Sequence, residues 1–212
     1  MGKITSIEIE KHNKNRSNIY IDGRYYCSLN NLTILQNRLE VGHVVTPSHI
    51  KEMQFDSEKD TAFERTLKYI SKSMKTKHQI RIFLEQKGYL DDIIEYVIKK
   101  LSEYKYIDDE FYATSLAKEL SQKYGEYGVR FKLGEKGLSD KNIDIALSKL
   151  NRKDYLNGAL SLAKKYLVNK DINTNKDKLY NYLLQRGYDT YIIKEVISIL
   201  KEEWKNYLQA NK

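Results

Sequence analysis

From residue 62 onward the apolar residues fall at intervals of three, four and seven, the spacing that lines one face of an α-helix. Three segments repeat the pattern in register. EQKGYLDDIIEYVIKKL (85–101), GEKGLSDKNIDIALSKL (134–150) and LQRGYDTYIIKEVISIL (184–200) overlay without a gap, with glycines at 88, 137 and 187. Counted from its glycine, each carries an apolar residue at +6 (Ile94, Ile143, Ile193), +9 (Val97, Ala146, Val196), +10 (Ile98, Leu147, Ile197) and +13 (Leu101, Leu150, Leu200). Leu84, Leu133 and Leu183, four residues before each glycine, add the contact from a preceding helix. These positions are read as core, where full burial of one such side chain contributes about 1.5–3 kcal/mol. A period of about 50 residues marks a tandem array, because a unit this small buries its apolar face only by stacking on its neighbours.

The glycines have a separate reason. A helix ending at Lys87, Lys136 or Arg186 needs a left-handed residue just past its end, which Gly88, Gly137 and Gly187 adopt without a Cβ clash, and the cation favours the negative helix terminus. Each unit divides into three helices by the same signals: in the first, 62–74, 76–87 and 91–104. The first helices match less well, with Ala62, Phe63, Leu67 and Ile70 standing against Phe111, Leu116 and Leu120, and against Leu156, Leu160, Ala163 and Leu167. The third unit carries an insertion, VNKDINTNKD (168–177), expected as an exposed loop.

Residues 3–29 have a different period. Ile4, Ile7 and Ile9 belong to one β-prone stretch, and NIYIDGRYYCSL places Asp22-Gly23 between two more, which predicts a type I′ hairpin. Helical spacing returns at Leu29, Leu32, Leu35 and Leu39, and Thr46 with Pro47 predicts the capped start of a short helix. The polar stretch 55–60 is the boundary candidate. The expected fold is mainly α: a β-hairpin element with short helices (1–60), then three-helix repeats at 61–107, 108–153 and 154–212.

Charge is unevenly placed. The net +8 lies entirely beyond residue 60, divided as +4, +1 and +3 over the three repeats. A basic excess on a repeat array points to a polyanionic partner. Lys68, Lys72 and Lys75 follow spacings of four and three and are expected to form one helical stripe, continued by Lys77, His78 and Arg81. Arg130 and Lys132 in the second unit, and Lys164 and Lys165 in the third, extend the candidate surface. The eighteen tyrosines accompany a general richness in Lys, Asn and Ile and are not read as a stacking platform.

Catalytic chemistry has little to stand on. The histidines (12, 43, 49, 78) lack metal-ligand spacing, and Cys27 is alone, so neither a cysteine metal cluster nor an intrachain disulfide is expected. Asp108-Asp109 reads as the cap of a helix. Gly125-Glu126-Tyr127-Gly128 has the form of a nucleic-acid backbone clamp, but Glu126 is acidic and no strands follow, so it reads as a turn between helices. No phosphate loop, nucleophile elbow or dinucleotide fingerprint occurs, so no enzymatic activity or cofactor is expected. With no run of 18 apolar residues and no signal-peptide core, a cytoplasmic protein without membrane association is expected.

The order L-x-x-K-G, apolar helix, Ile-Asp-Asp-x-x-[FY]-Ala, second L-x-x-K-G, here Leu84–Gly88, Ile107–Ala113 and Leu133–Gly137, resembles the RecX family of recombinase regulators. So does ITSIEIEKHNKNRSNIYIDGRYYCSL near the N-terminus, and the resemblance covers nearly the whole chain. Phe83 and Lys132 depart from it, standing where an acidic residue often precedes the leucine. The resemblance implies three three-helix units that bind the RecA filament on single-stranded DNA and restrain strand exchange and ATP hydrolysis; a monomer is expected. Helices about 20 Å long packed about 10 Å apart would let such an array extend about 60 Å, as an elongated crescent. Two other readings are a helical repeat that binds single- or double-stranded DNA directly, and an α-solenoid scaffold for another protein.

Overall fold

The computed structural model describes residues 1–210 and divides into two compact units. Unit 1 comprises Met1–Met74 and Ile80–Tyr106; unit 2 comprises Lys75–Gln79 and the chain from Ile107 onward.

Unit 1 begins with a four-stranded sheet of order β3-β2-β1-β4, formed by β1 (Gly2–Ile9), β2 (Arg16–Ile21), β3 (Arg24–Asn30) and β4 (Val44–Val45). Every pairing in it is antiparallel. The β2–β3 turn has positive φ at both central residues, Asp22 (49°) and Gly23 (77°), the conformation that matches a two-residue hairpin to the twist of its strands. Ile4, Ile19, Cys27 and Leu29 from the sheet close a small core with Leu39, Val45, Ile50 and Met53.

The short helix expected at Pro47 is instead α2 (Pro47–Ile70), 24 residues long, following α1 (Asn31–Gln36). Thr46 caps α2 by accepting a hydrogen bond from the His49 N–H at 3.2 Å. The expected boundary at 55–60 lies within α2, so residue 60 does not mark a break in the backbone. The physical reason is specific pairing: Ser57 Oγ accepts the Asn30 N–H at 2.5 Å, and Asp60 accepts from the Thr33 hydroxyl at 3.2 Å. Polar residues that resemble a solvated linker are buried here because the preceding segment supplies their partners. Helices α3 (Lys77–Glu85) and α4 (Asp91–Glu103) follow, the first turn of α3 falling in unit 2. Leu84, Ile94, Val97 and Leu101 are fully buried.

Unit 2 contains α5 (Asp109–Leu120), α6 (Glu126–Gly134), α7 (Asp140–Ser148), α8 (Arg152–Tyr166), α9 (Ile172–Gln185) and α10 (Thr190–Ala210). Leu133, Leu183, Ile143, Ile193 and Leu200 lie in one continuous core, with Leu150 partly buried against it. The insertion at 168–177 is an exposed loop only in its first part. Asp171 caps α9 by accepting from the Asn173 N–H, and Ile172 turns into the core, so the remainder is helical. Gly88, Gly137 and Gly187 have φ of 81°, 70° and 79°. At two of these turns the backbone N–H of the residue after the glycine reaches back to a leucine carbonyl, Tyr89 to Leu84 at 3.2 Å and Tyr188 to Leu183 at 3.3 Å, closing the cap.

Candidate partner and nucleic-acid surface

Eight of the nine cations singled out in the sequence separate into two kinds. Arg81 on α3 engages Glu95 and, at 3.8 Å, Asp91, both on α4. Arg130 on α6 engages Asp144 on α7 at 2.6 Å. These are the same bond in two repeats, because each arginine lies seven residues before its glycine and each acid seven after. Lys132 pairs with Glu135 at 2.7 Å and Lys164 with Glu203 at 2.9 Å. The carboxylates raise the Arg130 and Lys132 pKa values, chiefly through these hydrogen bonds, so both groups are held as cations but are neutralised internally. Among the described residues, Lys68, Lys72, Lys77 and Lys165 are exposed and have no such ion pair.

The expected stripe over Lys68, Lys72 and Lys75 is not one helix face. Helix α2 ends at Ile70, so only Lys68 projects from it, while Lys72 and Lys75 follow in the connection to α3. In Ser71-Lys72-Ser73-Met74 all four residues are exposed, the apolar Met74 included, so the segment buries nothing that would anchor a further turn. Lys165 lines a different feature, a cleft of about 420 Å³ shared with Lys118, Lys123 and Asp154.

Gly125 and Gly128 are a packing device. The Gly125 N–H donates to the Arg186 carbonyl at 3.1 Å, and a Cβ on Gly125 would lie 2.2 Å from the Gly187 oxygen. One on Gly128 would lie 2.3 Å from the Arg186 oxygen. The start of α6 thus presses backbone to backbone on the glycine turn that follows α9. Thr76 does the corresponding work earlier, its hydroxyl donating to the Lys136 carbonyl at 2.7 Å. Thr76 and Gly125 both lie twelve residues before a glycine, a correspondence visible in the sequence. Asp108 caps α5 by accepting from the Phe111 N–H at 2.9 Å, and Asp109 accepts from the Lys77 N–H at 3.0 Å. Among the described residues no group of three or more His, Cys, Asp or Glu could hold a metal ion, and no helix is long and apolar enough to cross a membrane.

A small antiparallel sheet followed by helical repeats, with cations graded between neutralised and free, defines a helical-repeat protein with a basic exposed surface. The chain matches the family models for the regulatory protein RecX N-terminal domain over residues 2–46 and for the first three-helix domain of RecX over residues 62–101. It is 35% identical to regulatory protein RecX of Clostridium acetobutylicum across 94% of this chain and 97% of that one, and 33% identical to that of Clostridium botulinum across 93% and 95%. It superposes on a crystal structure of regulatory protein RecX with a TM-score of 0.74 at 27% identity, covering 92% of this chain and 98% of that one. A crystal structure of RecX from Lactobacillus salivarius shares the fold, with a TM-score of 0.62 at 23% identity over 68% of this chain and 97% of that one. The chain belongs to the RecX family of regulatory proteins.

Proposed function

We propose that this protein binds the RecA recombinase filament on single-stranded DNA and modulates it, chiefly by inhibiting ATP hydrolysis and strand exchange in recombination, DNA repair and the SOS response. It acts as a cytoplasmic monomer without an enzymatic step of its own. The observation that carries this reading is the RecX relationship over more than nine-tenths of the chain, sheet and repeats together.

Charge supports it. A filament on DNA is a polyanion with repeating subunits, and free cations spread over an array meet it through several weak contacts whose joint avidity exceeds any one of them. On this reading the contact residues are the cations with no internal carboxylate, Lys68, Lys72, Lys77 and Lys165. Arg81, Arg130, Lys132 and Lys164 tie the frame together instead. The test is an ATPase titration of the cognate recombinase on single-stranded DNA. Inhibition near stoichiometric ratios is expected, weakened by Lys68→Glu/Lys72→Glu and retained by Arg130→Met. Unchanged ATPase and strand exchange at equimolar protein would overturn the reading.

A further inference from the structure

The helix pair α9–α10 departs from the other two at one pair of positions across its seam, where the ring of Tyr180 is half-buried against the core and Lys194 is exposed. Where the first two repeats bridge their second and third helices with Arg81–Glu95 and Arg130–Asp144, the third has Tyr180 and Lys194, seven residues before and after Gly187. The acid has become a lysine and the arginine an aromatic ring. Tyr180 and Lys194 line a cleft of about 610 Å³ together with Lys176, Ser198, Lys201 and Asp177. Among the described residues none of the three lysines has an ion pair, and Asp177 is the one carboxylate in the lining.

Like charges that share a helix seam repel, so this arrangement opposes the pairing of α9 with α10 where the other repeats reinforce it. Lys194 and Lys201 are two helical turns apart, about 10 Å along α10, a spacing suited to successive phosphates of one strand. Tyr180 stands on α9 one turn after Lys176, between the cationic groups. A positive groove with an aromatic face is the combination that holds single strands without regard to sequence, since the backbone follows the charges and a base stacks on the ring. A duplex keeps its bases stacked on one another and cannot use the ring.

We propose that the α9–α10 cleft is a single-stranded DNA site, with Lys176, Lys194 and Lys201 on the phosphates and Tyr180 under a base. This deepens the function proposed above, and rests on it only for the choice of single-stranded DNA as the polyanion.

The test is fluorescence anisotropy of labelled oligothymidylate with the full chain between about 50 and 200 mM salt. Wild type is expected to bind with steep salt dependence. Lys176→Ala/Lys194→Ala/Lys201→Ala should make the slope of log K against log salt shallower by about 2, at about 0.7 for each phosphate no longer neutralised, and Tyr180→Ala should cost about 10-fold with the slope unchanged. Tyr180→Arg/Lys194→Glu installs the ion pair of the other repeats in place of the ring and one free cation, so affinity should fall by about 10-fold or more. Absence of binding by wild type, or unchanged affinity and slope in these variants, would overturn the proposal. Recombinase ATPase measured on the same proteins separates the two readings. Inhibition by wild type with DNA affinity unaltered in the variants removes this cleft alone. Loss of DNA affinity in the variants, with no inhibition by wild type, upholds the cleft and removes the recombinase reading.

Discussion

Gly88 and Gly187 occupy the same place in their repeats, have φ of 81° and 79°, and are expected to respond very differently to alanine. At Gly88 a Cβ would meet nothing within 4 Å, so Gly88→Ala incurs only the left-handed conformation, about 1–2 kcal/mol, part of which the stiffer unfolded chain returns. At Gly187 the same Cβ would lie 2.1 Å from the Gly128 nitrogen and 2.7 Å from its Cα. These are backbone atoms of α6, which a rotamer change cannot move. Separating them adds an overpacking cost of about 1–3 kcal/mol, and weakening the 3.1 Å bond from the Gly125 N–H to the Arg186 carbonyl adds about 1 kcal/mol. Gly187→Ala should therefore exceed Gly88→Ala by about 2–4 kcal/mol, measured by urea unfolding under far-UV circular dichroism, each value taken from the transition of the unit that carries the change. Gly128→Ala checks the contact from its other side: a helix-interior alanine gains about 1 kcal/mol over glycine, yet its Cβ would sit 2.3 Å from the Arg186 oxygen, so net destabilisation is expected. The pair should be non-additive, since the first substitution already opens the contact. Equal losses for Gly88→Ala and Gly187→Ala would refute the close-approach argument.

Three further outcomes follow from single environments. Burial is the largest influence on Asp60 and raises its pKa above the ordinary 3.8, so its contribution to stability is complete below that value and is lost as pH rises through the folded pKa. Asp60→Asn, which can still accept from Thr33, is expected to stabilise unit 1 at neutral pH and to lose that advantage under acid, as read from urea midpoints across pH. Arg130→Met should cost less than about 1 kcal/mol in the same assay, because both partners of the Arg130–Asp144 pair are well exposed and solvent screens them. Cys27 is buried, and desolvation pushes its thiol pKa upward, so a thiol reagent at mildly alkaline pH should label it only after unfolding; rapid labelling of native protein would contradict this.

Much of the frame is legible in the sequence because its causes are local or periodic. Asp22-Gly23 specifies its hairpin turn by chemistry that two residues contain, and Leu84, Ile94 and Leu101 declare a buried face by spacing alone. The length of α2 is hidden for the opposite reason. Ser57 and Asp60 resemble a solvated linker until Asn30 and Thr33, 27 residues earlier in each case, satisfy their side chains, and such pairings carry no period. The start of α9 is hidden for a related reason, since Asp171 and Ile172 act as cap and anchor within a polar run. The cations show a third situation. Arg81–Glu95 and Arg130–Asp144 share their offsets from the repeat glycines, so the pairing is present in the sequence, but counting lysines and arginines as one population conceals which of them have a carboxylate across the seam.

That seam shows how one repeated frame acquires a differentiated surface. Truncating a fully buried leucine such as Leu84, Leu133 or Leu183 to alanine costs about 2–5 kcal/mol, so substitutions there are strongly constrained. The exposed pair across the seam is worth less than about 1 kcal/mol, so the third repeat can carry Tyr180 and Lys194 in its place at little cost to the fold. Energetic inequality between the two sets of positions therefore separates what the repeats share from where they differ. A core kept in three copies positions each seam equivalently, and exchanging the arginine–acid pair for Tyr180 and Lys194 at weakly constrained positions turns an internal clamp into a surface of net positive charge that a polyanion can neutralise.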